Sequence, residues 1–555
     1  MKIRHILLLL ATNILVSSSA MQAYATNNWP ENDSTKKEAP ENWFNLDRET
    51  DNVQGVSTEK TYQELLGEKE SRTVVVAVID GGVDVEHEDL QGKIWINEDE
   101  IPGNGKDDDG NGYIDDIYGW NFLGGPDGEN VHHDTYELTR ELVRLEPKYE
   151  GANPDDLSKK EKKEYEYYQK LKEDYDTEMS QMQEGLKNFA GLKEMVAQSM
   201  RLIAAYLNME EEDLEPASLE QVNSPDERIK RAVSVIDYAL ENDLNMEYLE
   251  EAIEYFENQV KYYLNKEFNP RSIVGDDYDD LSDRVYGNPD VAGPDADHGT
   301  HVAGIIAANR DNKLGMKGVA NDVKIMAIRA VPDGDEHDKD VANAIRYAVD
   351  NGADIINMSF GKSYSPQKAY VDEAVLYAEE KGVLLVHAAG NDSKNLDDAN
   401  NFPTKDLDNR RKDAKNWLEI GASSWGDATN FVGEFSNYGK KSVDVFAPGV
   451  DIYSTMPGSE YEEQNGTSMA APVTSGVAAL LMSYYPELDA VQVKDVIMKS
   501  ASRFDAMKVN KPGQPEEEGA EDMIVFEELS VSGGIINAYE AVKLAESMTM
   551  KKSRR

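Results

Sequence analysis

The sequence predicts an α/β fold: a doubly wound, mostly parallel sheet flanked by helices, with a large α-helical insertion in its middle. Three observations carry this. Apolar, β-branched runs recur at 73–80, 323–329, 354–358, 383–389 and 443–446, without the polar alternation of a half-exposed strand, which reads as parallel strands buried on both faces. Helical patterns lie between them at 338–350 and 367–381, as a sheet with crossover connections requires. From about 129 to 285 the alternation stops, and charged sequence rich in Glu, Lys, Tyr and Met takes over.

In chain order, residues 1–25 combine a basic start, an apolar run from Ile6 to about Val16, and small residues at Ala23 and Ala25. That order reads as a signal peptide removed on export, and the expected location is secreted, periplasmic or cell-surface associated. No later stretch reaches the roughly 18 apolar residues of a membrane span. Residues 26–70 are polar, with Trp43, Phe44 and Leu46 as their compact apolar cluster. They read as a linker or short pro-segment, too poor in apolar residues for a folded domain. The main domain then occupies 71–128 and 286–548, and a basic tail follows at 549–555.

Within the insertion, 129–285, apolar positions run Leu171, Tyr175, Met179, Met182, Leu186, Phe189, Leu192, Val196, Met200, Ile203 and Leu207. Steps of three and four make this a long amphipathic helix. A second stretch at 225–265 pairs with it as an antiparallel hairpin. The insertion reads as self-contained, with a docking site for a protein partner as the alternative.

The chain has 555 residues, 57 basic against 107 acidic, a net charge of −50, and no cysteine. Such a balance repels nucleic acid and anionic lipid. Without cysteine, disulfides, thiolate metal sites, a cysteine nucleophile and an acylated cysteine are excluded. Excess oxygen donors favour a structural cation, and calcium is the one cofactor expected; no organic cofactor is.

Three motifs carry chemistry. AVIDGGVDVEHEDL puts Asp80 at the end of a buried strand, where a carboxylate is held ionised and dry. DHGTHVAGIIAA puts His298 at the start of a packed helix, with Gly299 and Gly304 allowing close backbone approach. NGTSMAAPVTSGVAALL sets Ser468 at a tight turn opening a small-residue helix, its hydroxyl exposed and its backbone N–H pointed into the site. The order Asp, His, Ser distinguishes one hydrolase arrangement from the others built on the same three groups.

On these motifs the chain resembles the subtilase family over about 71–128 and 286–545. The resemblance implies a subtilisin-like fold and a serine endopeptidase acting on polypeptide through an acyl-enzyme. Ser468 is then the nucleophile, His298 the general base and acid, and Asp80 the group that orients the imidazolium and balances its charge. Asn391, in LLVHAAGND, matches the family's oxyanion-hole asparagine, with the Ser468 N–H as its partner. Ser359, Phe360 and Gly361, in INMSFG, match the strand that pairs with substrate backbone and walls the specificity pocket. His301 belongs to its motif without being the base, and His87 and His387 read as structural or exposed.

The loop KDDDGNGYIDD offers Asp107, Asp109, Asn111 and Asp115 around Gly112 as calcium ligands, but Tyr118 stands where an EF-hand would carry Glu. Asp116 or distant groups would complete such a loop. The resemblance also implies Asp89 as a calcium ligand, together with a loop at Asn309 to Leu314 that is one residue longer than the family's. The chain departs from the family chiefly in separating Asp80 from His298 by 218 residues. The excess is the insertion, expected to emerge near the active-site face and restrict access. Two rival functions remain on this reading: a scaffold with a degenerate site, and an esterase or amidase of small substrates.

Overall fold

A computed structural model describes residues 39–67, 69–242, 244–408, 410, 412–426, 430–513 and 523–553. The expected leader at 1–25, and the first part of the expected linker, lie outside them. The described residues form two compact units, a helical one at 138–268 and a sheet unit comprising the rest. The helical unit is thus narrower than the insertion read from sequence: 129–137 and 269–285 belong with the sheet unit.

The strands are β1 (Val74–Asp80), β2 (Gly119–Asn121), β3 (Val323–Arg329), β4 (Ile355–Met358), β5 (Leu384–Ala388), β6 (Trp417–Ser423), β7 (Val445–Pro448), β8 (Ile452–Met456), β9 (Glu460–Gln464), β10 (Ser502–Arg503), β11 (Lys508–Asn510), β12 (Met523–Val525) and β13 (Gly534–Ile535). Nine of them form one sheet in the order β10-β13-β7-β6-β5-β4-β1-β3-β2. Every pairing in it is parallel except that of β10 with β13. The expected mostly parallel, doubly wound sheet is the observed one.

In β1 the period of two is plain: Val74, Val76 and Val78 enter the core under helices Asp297–Ala307 and Thr467–Tyr484, while Ala77 and Ile79 enter the core under Asp338–Asp350 and Lys368–Lys381. The strand is apolar from Val74 to Ile79 because both of its faces are covered. Its neighbours are β3 and β4, so the chain winds outward from it in both directions. The C-terminal end of a strand at such a switch point is where open α/β sheets bind ligands. Asp80 is the last residue of β1.

Two features depart from expectation. Residues 39–67 are no linker: Trp43, Phe44, Val56 and Leu66 are buried in the same core as β1, and Trp43 Nε1 donates to Val450 O and Asp451 O at 3.1 Å each. Few in number, these side chains suffice because they fill a core that other elements supply. Strand β6, WLEIGAS, escaped the sequence reading because Glu419 interrupts its apolar run. The Glu419 carboxylate is buried yet satisfied, accepting from Trp417 Nε1 at 2.8 Å and from His387 Nδ1 at 2.9 Å. In addition, the helix Ala538–Ser553 runs through 549–553, so the expected basic tail begins as helix.

In the helical unit, Lys159–Leu207 is one helix of 49 residues, opened by a Ser158–Glu161 capping box and ended by Asn208 at φ 56°. Tyr168, Leu171, Tyr175, Phe189, Val196 and Ile203 form its buried stripe. The stretch 225–265 is two helices, Glu227–Glu241 and Met246–Asn258, rather than one. Asn245 divides them by accepting from Tyr248 N–H at 2.7 Å, an N-cap bond.

Candidate active site

Asp80 is nearly buried, and its Oδ1 accepts from Gly81 N–H at 2.8 Å and from His298 Nδ1 at 2.7 Å. Because the carboxylate only accepts, the His298 proton sits on Nδ1 and Nε2 keeps its lone pair. Glycines permit this approach. A Cβ at Gly299 would meet Gly82 O at 2.0 Å, and one at Gly304 would meet Thr455 Oγ1 at 2.2 Å. Burial works to lower the His298 pKa, but the charge and hydrogen bond of Asp80, aided by Asp295, raise it above the ordinary imidazole value.

Ser468 is the second residue of the helix Thr467–Tyr484 and is 7% exposed. Pro472 lies inside that helix and has no N–H to return to Ser468 O; Ser359 Oγ donates to that carbonyl instead, at 2.9 Å. The Ser468 hydroxyl donates to Ser359 O at 3.1 Å. Among the described residues no hydrogen bond joins Ser468 to His298, although their two helices pack together.

Asn391 is oriented by Thr467, whose N–H and Oγ1 donate to Asn391 Oδ1 at 2.9 and 3.0 Å. A backbone N–H requires an acceptor, so the oxygen's identity is settled and Nδ2 is turned away as a donor. The Ser468 N–H, among the first amides of its helix, has no carbonyl one turn earlier to use. Two donors therefore lie at the Ser468 end of the site.

Ser359 is buried, Phe360 is half-buried with its ring 6.3 Å from that of His387, and Gly361 is exposed. The sequence reading missed Asn401. A Cβ at Gly361 would come within 2.4 Å of Asn401 Oδ1, and one at Gly390 within 3.3 Å of its Cγ. Asn401 Nδ2 donates to Ala388 O at 3.0 Å, so this amide stands between the two segments. It sits in a loop without periodicity or motif, and no sequence signal marks it. Two histidines of the sequence motifs are structural: His87 bridges Asp89 N–H and Glu460 O, and His301 bonds Glu462 O, its pKa pushed down to about 3 by burial.

Of the expected calcium ligands, Asp107 and Asp115 serve as loop caps. Asp107 accepts from the N–H groups of Gly110, Asn111 and Gly112, and Asp115 from those of Asn104 and Gly105. Asn111 Oδ1 accepts from Tyr113 N–H at 2.7 Å. The carboxylates that converge are Glu100, Asp109 and Asp116, with ligand oxygens within 4.8 Å of one another. Burial, against hydrogen bonds from Tyr347, Asn111 and Asn97, raises the Asp116 pKa, and the Asp109 charge adds to the rise. An all-oxygen set of this kind fits a hard cation. Asp89 does not fit one as arranged: its oxygens accept from Asn312 Nδ2 at 2.6 Å and from Met316 N–H and Tyr461 OH at 3.3 Å each. The cluster oxygens also accept hydrogen bonds, Glu100 from the N–H groups of Asp108, Asp109 and Asp115, so what sets Asp89 apart is that no such group of three acidic or imidazole ligands includes it among the described residues.

The sequence profile of the subtilase family matches residues 71–520, and the chain belongs to that family. It is 38% identical over 208 residues to the thermophilic serine proteinase of Bacillus sp. (strain AK1), covering 37% of this chain and 47% of that protein. Against subtilisin DY of Bacillus licheniformis it is 38% identical over 211 residues, 37% of this chain and 71% of that protein. Against the cell wall-associated protease of Bacillus subtilis (strain 168) it is 37% identical over 223 residues, 40% of this chain and 23% of that protein. The matched segment thus spans about half of the first relative and less than a quarter of the last.

Proposed function

We propose that this chain is an exported serine endopeptidase that cleaves polypeptide through an acyl-enzyme, with Ser468 as nucleophile, His298 as general base and acid, and Asp80 as its orienting partner. The observation that carries the reading is the 2.7 Å Asp80–His298 bond, which leaves Nε2 as the ring's acceptor. Ser468 Oγ attacks the scissile carbonyl and passes its proton to Nε2. The imidazolium, stabilised by Asp80, returns that proton to the leaving amine, and water repeats the sequence to release the acid. Charge on the former carbonyl oxygen is received by Asn391 Nδ2 and the Ser468 N–H. Ser359, Phe360 and Gly361 offer an extended edge for substrate backbone, which favours peptide over small esters.

Export rests on the leader-like stretch at 1–25, and no described helix is long and apolar enough to cross a membrane. A hard cation, calcium by its oxygen donors, belongs at Glu100, Asp109 and Asp116 and steadies their loop.

The test treats the purified protein and its Ser468→Ala variant with a fluorophosphonate probe and then with labelled casein. Labelling and cleavage by the parent alone are expected. A folded parent that labels but turns over only small esters makes it an esterase, and one that does neither makes it a scaffold.

A further inference from the structure

We propose that His132, His133 and Asp333 form a binding site for a divalent transition-metal ion of the zinc class, in the sheet unit and apart from the oxygen cluster at Glu100. Their ligand atoms all lie within 4.8 Å of one another. Two imidazoles with one carboxylate are a borderline-soft nitrogen and oxygen set, suited to zinc and poorly suited to calcium. In a chain without cysteine, histidine is the strongest ligand available to such an ion.

The backbone builds the site. Asp333 N–H donates to His132 O and Asp134 N–H to Asp333 O, both at 2.9 Å, so His133 and Asp333 face each other across a bridge. The pairing depends on Gly334, at φ 144°, where a Cβ would meet Asp134 O at 2.3 Å. The rings of His132 and His133 stack at 4.1 Å and 25°, which sets their nitrogen edges side by side. His133 Nδ1 lies 2.8 Å from Asp333 Oδ2. His132 Nε2 lies 4.0 Å from Asp295 Oδ2, which puts a fourth ligand, a second carboxylate oxygen, within reach of a small side-chain rotation.

Access and charge agree with this. His132 and Asp333 side chains are each 42% exposed and that of His133 18%. His132 opens into a cavity of about 390 Å³ whose walls include Asp84, Asp295 and Asp297. Three carboxylates there concentrate cations. By contrast His87, His301, His337 and His387 are at most 3% exposed. Among the described residues that leaves His298, tied to Asp80, as the one competing imidazole.

The experiment is a calorimetric titration of untagged, metal-stripped Ser468→Ala protein with zinc chloride, in excess calcium so that oxygen sites are filled. One zinc per chain is expected. Its affinity should fall at least tenfold in His133→Asn, Asp333→Asn and the solvent-exposed His132→Ala, and stay unchanged in His298→Gln. Cobalt(II) in place of zinc should give visible ligand-field bands that the same three variants lose. Melting curves of the metal-free proteins check that each variant is folded. The proposal is overturned if no zinc binds. It is also overturned if folded His133→Asn and Asp333→Asn keep the site, or if His298→Gln removes it, which would place the ion on the Asp80–His298 pair.

Discussion

The two units hold themselves together in different ways. Around Asp80, His298 and Ser468, position comes from small residues and glycines that let helices and strands approach within backbone contact, and from polar groups satisfied across long sequence separations. The helical unit rests on one apolar stripe along a 49-residue helix, packed by two shorter helices. A site built by the first means is sensitive to single atoms. A stripe is sensitive to volume, and repairs more readily.

The sharpest way to probe that contrast is Asn391→Ala. Removing one donor aimed at developing charge should cost about 10²–10³ in kcat with little change in KM. A loss confined to KM would mean that the amide binds substrate rather than the transition state.

Gly185→Ala asks the matching question of the stripe. A Cβ there would lie 2.3 Å from the Phe256 ring, so the pair must shift, at about 1–3 kcal/mol. A lower melting point is expected, with probe labelling of Ser468 retained at room temperature. An unchanged melt would show that the stripe tolerates a methyl group where the sheet unit would not.

Calcium removal tests the oxygen cluster. If a cation offsets the charges of Glu100, Asp109 and Asp116, a strong chelator should lower the melting point, and added calcium should restore it in proportion to RT ln(1 + [L]/Kd). Asp116→Asn should blunt that response. A melt indifferent to chelator would leave the cluster as a loop brace.

The smallest effect concerns pH. Asp295 is one of the charges that raise the His298 pKa, and its side chain is half exposed, so salt screens it. A general base works as neutral imidazole, so with His298 in the proposed role activity rises as pH passes through this pKa. Asp295→Asn removes a raising influence, and the acid limb of kcat/KM should move to lower pH. Movement to higher pH would refute the assignment of His298 as base.

Much of the fold was legible because its signals are local. Continuous apolar runs reported β1, β3, β4 and β5, and the period from Leu171 to Leu207 reported most of the long helix, since burial on both faces or on one stripe dictates those patterns. Strand β6 was hidden by Glu419, whose charge is tolerable only because Trp417 and His387 meet it. Residues 39–67 read as linker because a handful of apolar side chains cannot make a core alone, while Trp43 and Phe44 complete one built elsewhere.

The sequence by itself determined the parallel-sheet class and five of its buried strands, the three motifs with Asn391, and the family. Each rests on a short string whose residue types suit one burial pattern or one chemistry. Only the tertiary structure decided which side chains meet. It added Glu100 to Asp109 and Asp116 where the loop alone suggested Asp107, Asp109, Asn111 and Asp115, completed by Asp116 or distant groups, and it brought Asp333 to His133 across 200 residues. The reason is that a ligand set or a charge pair is defined by distances of a few ångströms, and those are settled by how the sheet packs, with no trace in local composition.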